Sequence, residues 1–180
     1  MAEKSKAIYE SDILGIEKCA EEEMKGLLGQ MSSGDKKAEN RLIEGNLYRV
    51  YEAAAFFESE KVSFMDLVQE GNLAMLLCAR TLAKNGLKGR QTVGKQLDIS
   101  IKEAMEAFVS SEEESYRAAE ELKIKLNVID EVCVRLAEEY GREATSEEVA
   151  EKMQMDPDDV RYLMRIALSA IQKEDGEGSI

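Results

Sequence analysis

Apolar residues recur along this chain at spacings of three and four, which predicts helices. A first amphipathic segment covers residues 9–31 and is stopped by Ser32-Ser33-Gly34, after which Asp35 is placed to cap a second helix over 36–57. In that second helix Ile43, Leu47, Val50, Ala54 and Phe57 fall on one continuous stripe, the pattern of a core-facing side. Ser63 with Asp66 predicts a capping box for a third helix that Asn85-Gly86 ends. A short helix over 95–109 is expected next, followed by a long one over 112–140 that opens on a Ser111–Glu114 capping box. In the long helix Ala119, Leu122, Leu126, Ile129, Cys133, Leu136 and Tyr140 recur at the coiled-coil period. Two readings stay open there, a seam for a second copy or a long helix packed on its own domain. Gly141 stops it, Thr145 and Glu148 form the next capping box, and Met155-Asp156-Pro157 starts a last helix. The residues from Lys173 on carry too little apolar content to order and are expected to be a disordered tail.

The third helix has two unlike sides. At about 100° per residue, Phe64, Leu67, Val68, Gly71, Ala74, Met75, Cys78 and Leu82 gather on one, and Asp66, Gln69, Glu70, Leu73, Leu76, Leu77 and Arg80 on the other. The first side packs inward. The second mixes acid, amide and leucine, a combination that suits neither water nor a dry core, and such a face usually docks on something.

Composition narrows the chemistry. The 180 residues include 44% hydrophobic and 34% charged positions, and about half are Ala, Leu, Glu, Lys or Arg, the usage of long helices. An all-α fold with a sizeable core is expected. With no His, neither a Ser-His-Asp nor a Cys-His arrangement can be built, and no His-borne metal site either. No phosphate loop or acidic metal motif occurs, so the expectation is a protein that is not an enzyme and needs no cofactor or metal. Cys19, Cys78 and Cys133 are odd in number and sit among apolar neighbours, which reads as reduced thiols in a cytoplasmic protein. No stretch is apolar for long enough to span a membrane.

Net charge is −13, but it is unevenly spread. Over residues 80–102 the six bases Arg80, Lys84, Lys88, Arg90, Lys95 and Lys102 stand against the single acid Asp98. These are the candidate contacts to a nucleic-acid backbone, the alternative being a solvated basic loop beside acidic neighbours.

Three stretches in this order carry a resemblance: GDKKAENRLIEGNLYRV at 34–50, VSFMDLVQEGNLAML at 62–76, and EEYGREATSEEVAEKMQMDPDDVRYLMRIA at 138–167. Together they resemble the sigma factors of bacterial RNA polymerase, in particular the housekeeping-like class. The resemblance implies a core-binding helical domain over 1–110, a three-helix, helix-turn-helix-like domain over 111–172, and the tail at 173–180. In sigma factors the helix bearing the DL-QEGN pattern grips the clamp helices of the polymerase beta-prime subunit. Carried across by residue, this implies that Leu47, Asp66, Gln69, Glu70, Asn72 and Leu76 dock on polymerase core, and the two-sided geometry adds Leu73.

The departures from the family pattern matter as much. In sigma factors that helix leads into an aromatic, basic stretch that opens the minus-ten promoter element, and stacking on unpaired bases needs aromatic faces. Residues 80–102 contain no Phe, Tyr or Trp. The last helix opens on Asp156, Asp158 and Asp159, with Arg161 and Arg165 further along, a poor start for reading base edges. No counterpart of the domain that reads the minus-thirty-five element is expected within these 180 residues. The leading expectation is therefore a sigma-factor-like transcription regulator with weak or lost minus-ten recognition and at most weak contact with promoter DNA. Two others stand beside it: a DNA-binding sigma factor for promoters of unusual sequence, and a helical adaptor forming a homodimer through 119–140.

Overall fold

The computed structural model describes residues 2–87, 89 and 91–177, with side chains placed for 4–87, 89 and 91–167. The described residues are helical apart from turns and connections: α1 (Ala2–Leu14), α2 (Glu21–Ser32), α3 (Lys36–Glu44), α4 (Leu47–Phe57), α5 (Phe64–Asn85), α6 (Val93–Tyr140), α7 (Ser146–Met153) and α8 (Pro157–Glu177). The chain divides into two compact units, Met1–Glu114 and Ser115–Ile180. No helix among the described residues is long and apolar enough to cross a membrane.

The first unit packs α1 to α5 and the opening of α6 around Leu42, Val50, Ala54, Phe64, Leu67, Met75, Leu97, Ile101 and Met105, all buried. Local signals set several of its boundaries. Asp35 accepts from the amides of Lys37 and Ala38 at the start of α3, and Ser63 Oγ accepts from the Asp66 amide at the start of α5. Gly86 closes α5 at a φ of 73°, a conformation that strains residues with a Cβ. Gly71 lets α5 come close to its neighbours. A methyl group there would fall on the Met105 side chain and lie 2.9 Å from Val50 Cγ1.

Two expected single helices are each two. The segment over 9–31 breaks at 15–20, because the Cys19 amide donates to the Gly45 carbonyl at 3.1 Å and draws the chain out of helical geometry. The segment over 36–57 breaks at Gly45-Asn46. Asn46 is fully buried, its Nδ2 donating to the Leu42 carbonyl and its Oδ1 accepting from Arg49 Nε, both at 2.8 Å. The apolar stripe crosses the break: Val50 and Ala54 are buried, while Ile43, Leu47 and Phe57 pack partly against the same core.

The opposite correction applies further on. The two helices expected over 95–109 and 112–140 form the single helix α6, and the Ser111–Glu114 capping box does not form. Only Ser110 and Ser111 separate them, and serine in a helix costs well under about 1 kcal/mol, too little to break it without Gly or Pro. The start of α6 is capped from a distance: the Glu21 carboxylate of α2 accepts from the amides of Val93 at 2.6 Å and Gly94 at 3.2 Å. Thr92 Oγ1 adds the Lys95 amide.

In the second unit Ile129 and Leu136 of α6 bury against Val149 and Ala150 of α7 and Val160 and Leu163 of α8, flanked by Leu122, Leu126 and Cys133. Most of the stretch over 119–140 thus packs within its own unit, the second of the two readings left open by its period, while Ala119 and Tyr140 at its ends stay exposed. The Thr145–Glu148 capping box is present in both directions, and Pro157 takes the first position of α8. The α8 backbone is helical to Glu177, so the disordered tail expected from Lys173 begins as helix; 178–180 lie outside the described residues.

Candidate docking surface

Helix α5 presents its outer side because its inner side is fixed so firmly. Phe64 is buried with Tyr9 and Tyr51 set edge-on at 6.1 and 5.5 Å between ring centroids. Leu67, Val68, Gly71, Met75, Ala79 and Leu82 continue that buried line. This register leaves Asp66, Gln69, Leu73, Leu77, Arg80 and Lys84 exposed along one stripe. Leu73 and Leu77 are 52% and 53% exposed, only half-covered by the helices of their own unit. Glu70 and Leu76 flank the stripe, half-buried.

Two of the expected docking residues lie elsewhere. Asn72 turns toward α1: its Oδ1 and the Tyr9 hydroxyl are both buried, close enough to interact yet without a hydrogen bond of normal geometry. Burial pushes the Tyr9 hydroxyl pKa up, with the Asn72 amide opposing the shift. Leu47 of α4 is half-buried and lines a cleft with Ile13, Leu14, Ile16 and Tyr51. The structure thus brings Asp66, Gln69, Glu70, Leu73 and Leu76 together and sets Asn72 and Leu47 apart from their shared stripe.

The basic candidates divide likewise. Arg80 is held by Glu39 of α3 through two bonds, Nε at 2.7 Å and Nη2 at 2.9 Å, and Glu39 also takes Lys36 at 3.0 Å. Arg80 first, and then Lys36, pulls the Glu39 carboxyl from the usual 4.5 down to about 2. Lys84 ends the α5 stripe, whereas Lys95 and Lys102 are exposed on α6. Lys88 and Arg90 lie outside the described residues. Asp98, the one acid of that stretch, bonds Arg49 at 2.6 Å. In the second unit Arg161 pairs with Asp158 while Arg165 and Tyr162 stay exposed. Sequence reasoning missed Glu39 and Glu21, whose partners stand 41 and 72 positions away with no local pattern to mark them. Among the described residues no group of acids and cysteines could hold a metal ion.

The described residues are thus all-helical, with a mixed acid, amide and leucine stripe left open on α5. Residues 125–172 match the family model described as Sigma-70 region 3. Over 167 residues the chain is 28% identical to the RNA polymerase sigma factor SigA of Clostridium acetobutylicum, covering 93% of this chain and 43% of that protein. Over 148 residues it is 28% identical to the RNA polymerase sigma factor SigA of Bacillus sp, covering 82% of this chain and 38% of that one. The chain is similar to both of these sigma factors at 28% identity and spans about two-fifths of their length.

Proposed function

We propose that this protein is a sigma-factor-like transcription regulator of the housekeeping-like class that docks on RNA polymerase core, at the beta-prime clamp helices, through the outer stripe of α5. The observation that carries this reading is the exposure of Leu73 and Leu77 between Gln69 and the half-buried Glu70 and Leu76. Leucines at helical spacing bury in a partner's groove, while the acid and amide bond its polar groups. Similarity to sigma factors over most of the chain supports the choice of partner.

Promoter recognition is weak or lost in this reading. Residues 80–102 offer no aromatic face to an unpaired base. Helix α8, in a three-helix unit of helix-turn-helix type, opens on acids that a DNA backbone repels. The protein acts in the cytoplasm, without catalysis, as an incomplete sigma subunit or as a competitor for the clamp. Capture of the chain by purified core polymerase tests this. Wild type binds and Gln69→Ala with Leu73→Asp does not; equal capture of both sinks the assignment.

A second reading, a DNA-binding sigma factor for unusual promoters, draws on the exposed Lys84, Lys95 and Lys102. It requires thymines that become permanganate-reactive when core polymerase and this protein meet a promoter; their absence at every promoter the protein activates removes it.

A further inference from the structure

The outer stripe of α5 is ordered by charge along its length. Asp66 and Glu70 stand near its start, Leu73 and Leu77 in its middle, and Arg80 and Lys84 at its end. Asp66 to Lys84 spans about 27 Å at the helical rise, some five turns. Asp66 in the first turn and Lys84 in the last also suit the dipole of α5 itself. That effect fades within a turn, so it does not account for Glu70 or Arg80, which lie further in.

The basic end is built rather than incidental. Glu39 takes Nε and Nη2 of Arg80, so the guanidinium is fixed in place with Nη1 left over. The group of Lys36, Glu39, Arg80 and Lys84 stays net positive despite that pairing.

Resting on the docking reading above, we propose that this stripe selects its partner by charge order as well as by apolar fit. It takes a partner helix that runs antiparallel to α5, with basic side chains opposite Asp66 and Glu70, apolar ones opposite Leu73 and Leu77, and acidic ones opposite Arg80 and Lys84. The direction follows from helix electrostatics. A stable helix carries its acids near its own N-terminus and its bases near its C-terminus, so only an antiparallel approach sets unlike charges together at both ends. In this arrangement Arg80 and Lys84 serve a protein partner, whereas Lys95 and Lys102, on another helix, do not share that face. The charged ends set orientation and register, and the leucines supply most of the affinity.

The test uses the full chain and purified core polymerase with no nucleic acid present. Lys84→Glu and Glu70→Lys each reverse one end of the order; Leu73→Asp removes the apolar middle. Lys84→Glu and Glu70→Lys should each weaken binding about three- to tenfold at low salt, as a reversed exposed pair does, and the difference should shrink at about 1 M salt. Thermal unfolding should match wild type for both variants. Loss of binding with Leu73→Asp, but none with either reversal, overturns the charge order and leaves the docking surface standing. Unchanged binding with Leu73→Asp overturns the docking surface itself, and tighter binding with Lys84→Glu means the order is the wrong way round.

Discussion

Truncating Leu73 and Leu77 together to alanine separates a docking surface from an ordinary solvent-facing helix side. Complete burial of a leucine side chain stabilises by about 1.5–3 kcal/mol. Each of these two is already about half-covered within its own unit, so a partner can bury only the remaining half, on the order of 1 kcal/mol apiece. The pair then contributes about 2 kcal/mol to association, equivalent to about 30-fold in Kd. The half of each side chain already covered within the unit counts on the same scale, so unfolding free energy should fall by about 1–2 kcal/mol, short of what two core leucines would cost. Titrating labelled protein with core polymerase and following anisotropy measures the first quantity, and urea unfolding measures the second. A double variant that binds as tightly as wild type refutes the reasoning. So does one that unfolds more than about 3 kcal/mol more easily, since the leucines would then belong to the core.

Three further outcomes are expected. Gly71→Val drives a branched side chain into Met105 and Val50 and should lower unfolding free energy by about 1–3 kcal/mol; an unchanged urea midpoint would show that α5 does not approach its neighbours this closely. Glu21→Ala removes the carboxylate from the first turn of α6 and should cost about 0.5–2 kcal/mol, with faster amide exchange at Val93 and Gly94 as the local signature. Acid should destabilise the protein through Glu39 and Glu148, whose carboxyls are held at about 2, chiefly by Arg80 and Arg142. Both values are depressed on folding, so this stabilisation is complete above about pH 4.5 and disappears as pH falls toward 2. The fall in melting temperature over that window should be smaller in the Glu39→Gln, Glu148→Gln variant.

The boundaries readable from sequence were those whose signals are local. Ser63, Gly86, Thr145 with Glu148, and Pro157 each act within one turn of their own position, and each stands at a helix end. The breaks at 15–20 and at Gly45-Asn46 depend on one another, through the bond from the Cys19 amide to the Gly45 carbonyl, and no window of either segment contains both partners. Ser110-Ser111 misled for the opposite reason: a weak local preference is overridden once α6 is anchored at both ends, by Leu97 and Ile101 in one unit and Ile129 and Leu136 in the other. The outer stripe of α5 was legible because helical geometry alone separates Leu73 and Leu77 from Leu67 and Met75. The positions of Asn72 and Leu47 were not, since both depend on where α1 lies, and nothing near them in sequence states that.

The carboxylate that Glu21 lends to Val93 and Gly94 gives the longest helix of the chain an imported beginning. Without α2 in place, the Val93 and Gly94 amides have only water to bond, and Thr92 alone holds the first turn of α6. The capped first turn of α6 therefore depends on the upstream hairpin of α2 and α3, whereas the rest of the rod bonds within itself. Ribosomal synthesis delivers the hairpin before the rod.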